Sequence, residues 1–209
     1  MTNLWTLPEH VSAYLAAADG IPHRSEGEAA LLEHLPAPLS RVLDLGCGDG
    51  RLLALVRLAR PGVAGVAVDF SPSMLEAARA RFASNDDVEV VAHDLDEALV
   101  VGGPFDAVVS SFAIHHVGDV RKKSLYAEVF DLLRPGGVFL NLEHVASPTP
   151  ELHRDFYLAL GADPADEDVS NQLADAFEQV QWMREVGFDH VDVHWKWREL
   201  ALLGAVRPA

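Results

Sequence analysis

Between residues 41 and 144, short runs rich in valine and leucine alternate with amphipathic stretches, and that alternation leaves very few architectures open to the chain. Arg41–Leu45, Val63–Val68, Val88–Val91, Phe105–Ser110 and Gly137–Leu142 are almost continuously apolar. Strands read this way when both faces of a parallel sheet are covered by helices. The intervening stretches Arg51–Ala59, Ser73–Phe82 and Val120–Leu133 carry apolar residues at helical spacing. Ser71-Pro72 suits a helix start, with serine as N-cap and proline in the first turn, and Pro135-Gly136-Gly137 suits a stop.

Two short helices, Pro8–Ala18 and Glu26–Leu35, are expected ahead of the sheet, making residues 1–40 an amino-terminal helical cap. A helical insertion over about 147–186 precedes the closing strands, with an apolar face of Leu173, Phe177, Val180 and Met183. Additions of this kind often cover the carboxyl ends of the strands. Val191, Val193, Trp195 and Trp197 alternate with Asp192, His194, Lys196 and Arg198, which predicts a strand with the apolar side chains on one face. It runs into Leu200–Val206, so an antiparallel pair closing the sheet edge is expected. At 209 residues the expected organisation is one domain, 1–209.

A formal charge of −16 repels phosphate backbones, and the basic clusters Arg121-Lys122-Lys123 and Lys196-Trp197-Arg198 are short enough to be solvated faces. Nucleic acid is therefore disfavoured as a partner. The lone Cys47 permits no intramolecular disulfide and no thiolate metal cluster. The start MTNLWTLPEH has neither the basic nor the apolar region of a signal peptide, and no run long enough to span a membrane follows. The expectation is a soluble, cytoplasmic protein, monomer or homodimer.

The most informative segment is VLDLGCGDGRL at 42–52, a buried strand ending in glycines that open directly into a helix. Glycine lets the backbone turn sharply and approach a ligand with no Cβ in the way. Gly46, Gly48 and Gly50 follow a GxGxG spacing, tighter than the dinucleotide fingerprint, which weighs against a nicotinamide-dependent reductase. Asp44 lies inside the apolar strand, where a carboxylate is costly unless something pairs with it. Asp69 ends the second strand, 19 residues past Gly50, where it is placed to accept from both hydroxyls of a ribose. Phe70 and Met74 offer apolar surface to an adenine face, and Asp94-Leu95 offers a carboxylate and a backbone N–H to its amino edge.

Together with FDAVVSSFAIHHV at 105–117 and LLRPGGVFLNLE at 132–143, these pieces resemble the class I S-adenosylmethionine-dependent methyltransferases, over about residues 41–144 and in the same order. The resemblance implies a Rossmann-like, doubly wound α/β fold: a mostly parallel seven-stranded sheet, its last strand antiparallel, with helices on both faces. It implies S-adenosyl-L-methionine as cofactor, with Gly46 and Gly48 at its methionyl part, Asp69 on the ribose and Asp94 on the adenine. Asp44, Cys47, Phe70, Met74, Leu95 and Ser110 complete the expected cofactor-binding set. Such enzymes commonly place an amino-terminal basic residue near the cofactor carboxylate, and Arg24 is positioned to do this; the alternative is a solvated arginine before a helix. Cys47 also reads as small filler in a tight loop.

Methyl transfer from a sulfonium chiefly requires alignment, and a base only where the acceptor loses a proton. His115, His116 and Glu143 are the catalytic candidates, with His144 beside them, since they follow strands four and five at the carboxyl edge. Adjacent histidines on a strand point in opposite directions, so at most one of the pair is expected to face the pocket. The histidine spacing contains no HExxH pair, so no metal is expected. Ser110-Ser111-Phe112-Ala113 stands where an Asn/Asp-Pro-Pro-Tyr segment would signal methylation of base amines, and no cysteine is placed for cytosine C5 chemistry. A small-molecule acceptor is the leading expectation. The alternatives are an enzyme resembling the carboxy-S-adenosylmethionine synthases of transfer-RNA wobble-uridine modification, and a non-catalytic cofactor-binding module. Tyr14 and Phe156 are candidate lid residues, while Trp195 and Trp197 read either as an acceptor wall or as sheet packing.

Overall fold

The computed structural model describes residues 4–17 and 20–209. The helices are α1 (Pro8–Ala17), α2 (Arg24–Glu33), α3 (Arg51–Ala59), α4 (Pro72–Arg81), α5 (Asp119–Leu132), α6 (Pro150–Leu160) and α7 (Ala176–Val186). The strands are β1 (Arg41–Leu45), β2 (Ala64–Asp69), β3 (Val88–Ala92), β4 (Phe105–Ser111), β5 (Leu133–His144), β6 (Asp189–Trp197) and β7 (Leu200–Val206). Ala18, the expected last residue of the first helix, lies outside the described residues.

The strands form one sheet in the order β3-β2-β1-β4-β5-β7-β6, parallel from β3 through β5, with β7 antiparallel to both β5 and β6. Apolar residues that alternate along β1 enter different cores. Leu43 and Leu45 join Val108, Phe139 and Leu203 under α5 and α7, whereas Val42 joins Ala67, Val109 and Leu142 under α2 and α3. Asp44 shares the second face, where its Oδ2 accepts the Leu53 N–H of α3 at 3.1 Å.

Four expectations need correction. β5 begins at Leu133, ahead of Pro135-Gly136-Gly137, because Gly136 N–H donates to Arg207 O and Arg207 N–H to Gly137 O, which holds the glycine bend in the ladder. Ser71 occupies the N-cap position of α4, but its hydroxyl caps nothing, and the Ser71 N–H instead donates to Asp69. Phe177 is 69% exposed, since α7 buries Ala176, Gln179, Val180 and Met183 against α5 and β6. An irregularity in β6 between Val193 and Trp195 turns the tryptophan to the opposite face, so Val191 and Val193 lie with α7 while Trp195 lies against Gly27 of α2.

Candidate functional site

β1, β2 and β4 end side by side, with Leu45 opposite Val68 on one flank and Ser110 on the other. The strand order reverses between β1 and β4, and a crevice opens outside the carboxyl ends at such a switch point. Here it is a cavity of about 380 Å³, walled on its far side by Trp5, Tyr14 and Leu15 of the amino-terminal segment. Arg24, Asp44, Gly46, Cys47, Gly48, Asp69, Phe70, Met74, Asp94, Leu95 and His116 line it.

The loop after β1 turns through left-handed residues, Gly46 at φ 63° and Gly48 at φ 54°. A Cβ on Gly46 would collide with the Ala113 methyl, so only glycine lets the loop lie beneath the segment after β4. Asp69 fastens this loop, accepting from Gly48 N–H at 2.9 Å through Oδ2 and from Ser71 N–H at 2.8 Å through Oδ1. Each carboxylate oxygen keeps further acceptor capacity. Burial raises the Asp69 pKa, with the backbone hydrogen bonds opposing. Burial also pushes Asp44 up to about 8, against the Leu53 hydrogen bond and with help from Asp69 and Asp49. Cys47 is a buried thiol, its pKa raised well above the usual value by burial.

Asp44 Oδ1, Ser71 Oγ, His93 Nε2 and Ser111 Oγ are buried without hydrogen-bond partners, and all four residues line the cavity. An unmet buried polar group costs about 1–3 kcal/mol, so a wall that gathers four of them is one that a polar ligand completes.

At the α2 end, Glu28 is buried between two guanidiniums. It accepts from Arg24 Nε at 3.0 Å, from Arg51 Nε at 2.9 Å and from Arg51 Nη2 at 3.1 Å, while Arg24 Nη1 donates to Tyr14 OH at 3.1 Å. Both arginines face the cavity. Glu28 and Arg51 were not anticipated; the arginine directly after the glycine loop is the one signal that points to them.

Three expected site residues stand outside the lining. Ser110 is fully buried with its hydroxyl donating to Leu45 O at 2.8 Å, and strand alternation puts Ser111 at the cavity instead. His115 and His116 sit on a single 3-10 turn, Ile114–His116, not on a strand, and their rings lie 4.0 Å apart. This turn sends His115 inward, where its Nδ1 is 2.6 Å from Oε1 of the fully buried Glu143 on β5. Burial drives both toward their uncharged forms, holding His115 well below its usual pKa and raising Glu143 to about 7. His116 alone of the pair reaches the cavity.

His144 and His153 bond Glu199 at 2.8 and 3.0 Å, away from the cavity. Among the described residues no group of three His, Cys, Asp or Glu side chains is arranged to hold a metal ion. Also among these residues, no helix is long and apolar enough to cross a membrane. Phe156 and Trp197 pack with Leu200, and Trp197 stacks on His23 at 4.2 Å, outside the cavity lining.

Residues 42–137 match the methyltransferase domain family model. The chain is 34% identical over 172 residues to the demethylmenaquinone methyltransferase of Clavibacter sepedonicus, covering 75% of this chain and 69% of that one. The chain belongs to the class I S-adenosylmethionine-dependent methyltransferases. This methyltransferase is also 32% identical over 178 residues to the carboxy-S-adenosyl-L-methionine synthase of Aeromonas hydrophila, covering 75% and 70% of the two chains. Among solved structures, an O-methyltransferase family protein from Burkholderia thailandensis superposes with a TM-score of 0.78 at 22% identity. That match covers 99% of this methyltransferase but only 62% of the solved chain, and at such identity it speaks to the fold alone.

Proposed function

We propose that the cavity binds S-adenosyl-L-methionine and that the chain transfers its methyl group to a small-molecule acceptor. The four unpartnered buried polar atoms beside the glycine loop carry this reading. The cofactor supplies an already activated methyl group on a sulfonium, and the protein's task is to hold and orient. Gly46 and Gly48 admit close approach of the methionyl part. Arg24, fixed by Glu28 and Tyr14, meets its carboxylate, and Asp44 meets its ammonium group. Asp69 accepts from the ribose hydroxyls with its remaining lone pairs, Phe70 and Met74 flank the adenine, and Asp94 with the Leu95 N–H reads its amino edge. Cys47 is filler in the loop. His116 is the base where the acceptor must lose a proton, while His115, Glu143 and Ser110 support the wall from behind.

A surface carrying −16 disfavours nucleic acid as acceptor, and a lone cysteine suits a reducing, cytoplasmic setting. Calorimetric titration with S-adenosylmethionine, S-adenosylhomocysteine and NAD tests the reading: micromolar binding of the first two is expected, and preferential binding of NAD overturns it. The relationship to carboxy-S-adenosyl-L-methionine synthases supports a second reading, synthesis of a carboxylated cofactor. Mass spectrometry of ligand retained through purification separates them, since a carboxylated species would favour the second.

A further inference from the structure

Once the cofactor contacts proposed above are set aside, the cavity wall that remains differs in kind. Trp5 meets Tyr14 edge-on at 5.0 Å and lies 5.3 Å from the His116 ring, and Phe112 sits beneath the Arg24 guanidinium at 5.4 Å. Arg24, which borders this part, is held by Glu28 and Tyr14 and is assigned above to the cofactor carboxylate, so among the described residues around these rings none is left to pair with a charged acceptor. A charged acceptor would lose its hydration there with no counter-ion, whereas a flat ring gains stacking area.

Behind His116 the 163–175 segment supplies a polar chain. Gln172 anchors the turn, its backbone N–H donating to His115 O and its side chain to His116 O, both at 2.8 Å. Ser170 Oγ lies 3.0 Å from His116 Nδ1 and 2.7 Å from Asp168 Oδ1. Burial raises the Asp168 pKa, but hydrogen bonds from the Ser170 backbone and hydroxyl, together with the nearby His116 and His10, outweigh it and hold the carboxyl below its usual value. Asp168 is thus an acceptor only, so the single hydroxyl hydrogen of Ser170 goes to Asp168, and the Ser170 oxygen accepts from His116. That places the ring hydrogen on Nδ1 and leaves Nε2 with its lone pair.

Resting on the methyltransferase reading, we infer that the acceptor is an uncharged, flat aromatic compound bearing a hydroxyl. Its proton passes to His116 Nε2, with Ser170 and Asp168 as positioning residues that hold the histidine in the receptive tautomer. The acceptor O–H bond breaks as the oxygen takes the methyl carbon. The C–S pair stays on sulfur as a neutral thioether, and the positive charge ends on the imidazolium, which later returns its proton to water. Burial, with His115 beside it, pushes His116 down to about 3, while Asp168, Glu143 and Ser170 act in the opposite direction. His10, at 3.8 Å from Asp168, faces the same network. So weak a base suits a phenolic hydroxyl, of pKa about 10, better than an alcohol.

The test begins by titrating S-adenosylhomocysteine, because failure there sinks the underlying reading and not this one. With that ligand bound, 2-naphthol, naphthalene-2-sulfonate and 2-naphthyltrimethylammonium are titrated calorimetrically. The neutral probe is expected to bind at least tenfold more tightly than either ion. Equal or tighter binding of an ion, or no binding of 2-naphthol, overturns the assignment of acceptor class. Ser170→Ala and Asp168→Asn are expected to leave S-adenosylhomocysteine affinity unchanged and to cut kcat on 2-naphthol at least tenfold. The loss should be much smaller with 4-nitrophenol assayed at a pH where it is still neutral, because a more acidic hydroxyl depends less on the base. An equal loss on both acceptors would show a structural role only and overturn the positioning claim.

Discussion

The two parts of the cavity wall are built on opposite plans. Beside β1, β2 and the loop after β3, recognition surface comes from glycine backbone and from buried polar atoms with unmet hydrogen-bonding capacity, such as Asp44 Oδ1 and Ser111 Oγ. Across from it the surface is made of rings supplied by the amino-terminal segment and by the residues after β4, and the imidazole of His116 there is already tied to Ser170. Backbone and buried carboxylates are held to tenths of an ångström by the sheet, so that part tolerates little change. Rings carried on added segments can be exchanged without disturbing the sheet, which is how one scaffold serves many acceptors.

The comparison breaks first at Glu28, which joins the two parts through Arg24. Glu28→Ala removes the buried carboxylate that Arg24 and Arg51 share and is expected to cost about 3–5 kcal/mol, read as a lowered denaturation midpoint in urea. A loss below about 1 kcal/mol would mean that the ion pairs with Glu28 contribute little to holding the two arginines. Asp69→Ala comes next. It removes the acceptor for Gly48 and Ser71 as well as the proposed ribose contact, so S-adenosylhomocysteine affinity should fall about 100-fold, or about 2.7 kcal/mol. Unchanged affinity would remove Asp69 from the site.

Asp44 sharpens the contrast through pH. Its folded pKa of about 8 stands above the ordinary 3.8, so between those values the native state holds a proton that the unfolded chain has released. Its contribution to stability is therefore present at low pH and declines as pH rises from about 4 to about 8. Asp44→Asn should flatten that decline in thermal melts of the ligand-free protein. Binding of a cationic cofactor should strengthen with pH up to about 8 in the original chain but not in the variant. Identical pH profiles would show that Asp44 does not titrate there. The smallest effect is expected at Ser110, whose hydroxyl serves β1 and not the cavity. Ser110→Ala should cost about 1 kcal/mol of stability and leave cofactor affinity within twofold.

The same division explains what was legible in the amino acids. β1, β2 and β4 are buried on both faces, so their apolar runs are nearly continuous, and the GxGxG loop with Asp69 follows from strand ends that can be counted along the chain. The start of β5 was not legible, because it depends on pairing with Arg207, more than sixty residues away. Nor was the turn that separates His115 from His116, since IHH carries no signal distinguishing a strand end from a 3-10 turn. Asp168 and Ser170 lie in a polar stretch without periodicity, where only three-dimensional proximity joins them to His116. The bulge that turns Trp195 over is likewise invisible in a sequence that alternates without interruption.

β7, which follows all the other strands of the sheet in chain order, lies between β5 and β6 rather than at a margin. A nascent chain emerging from the ribosome therefore cannot finish its sheet until residue 206 has cleared the exit tunnel. Until then β5 presents a bare row of amides and carbonyls along most of its twelve residues, and this is where a holding chaperone, or an unwanted neighbour, would find its template.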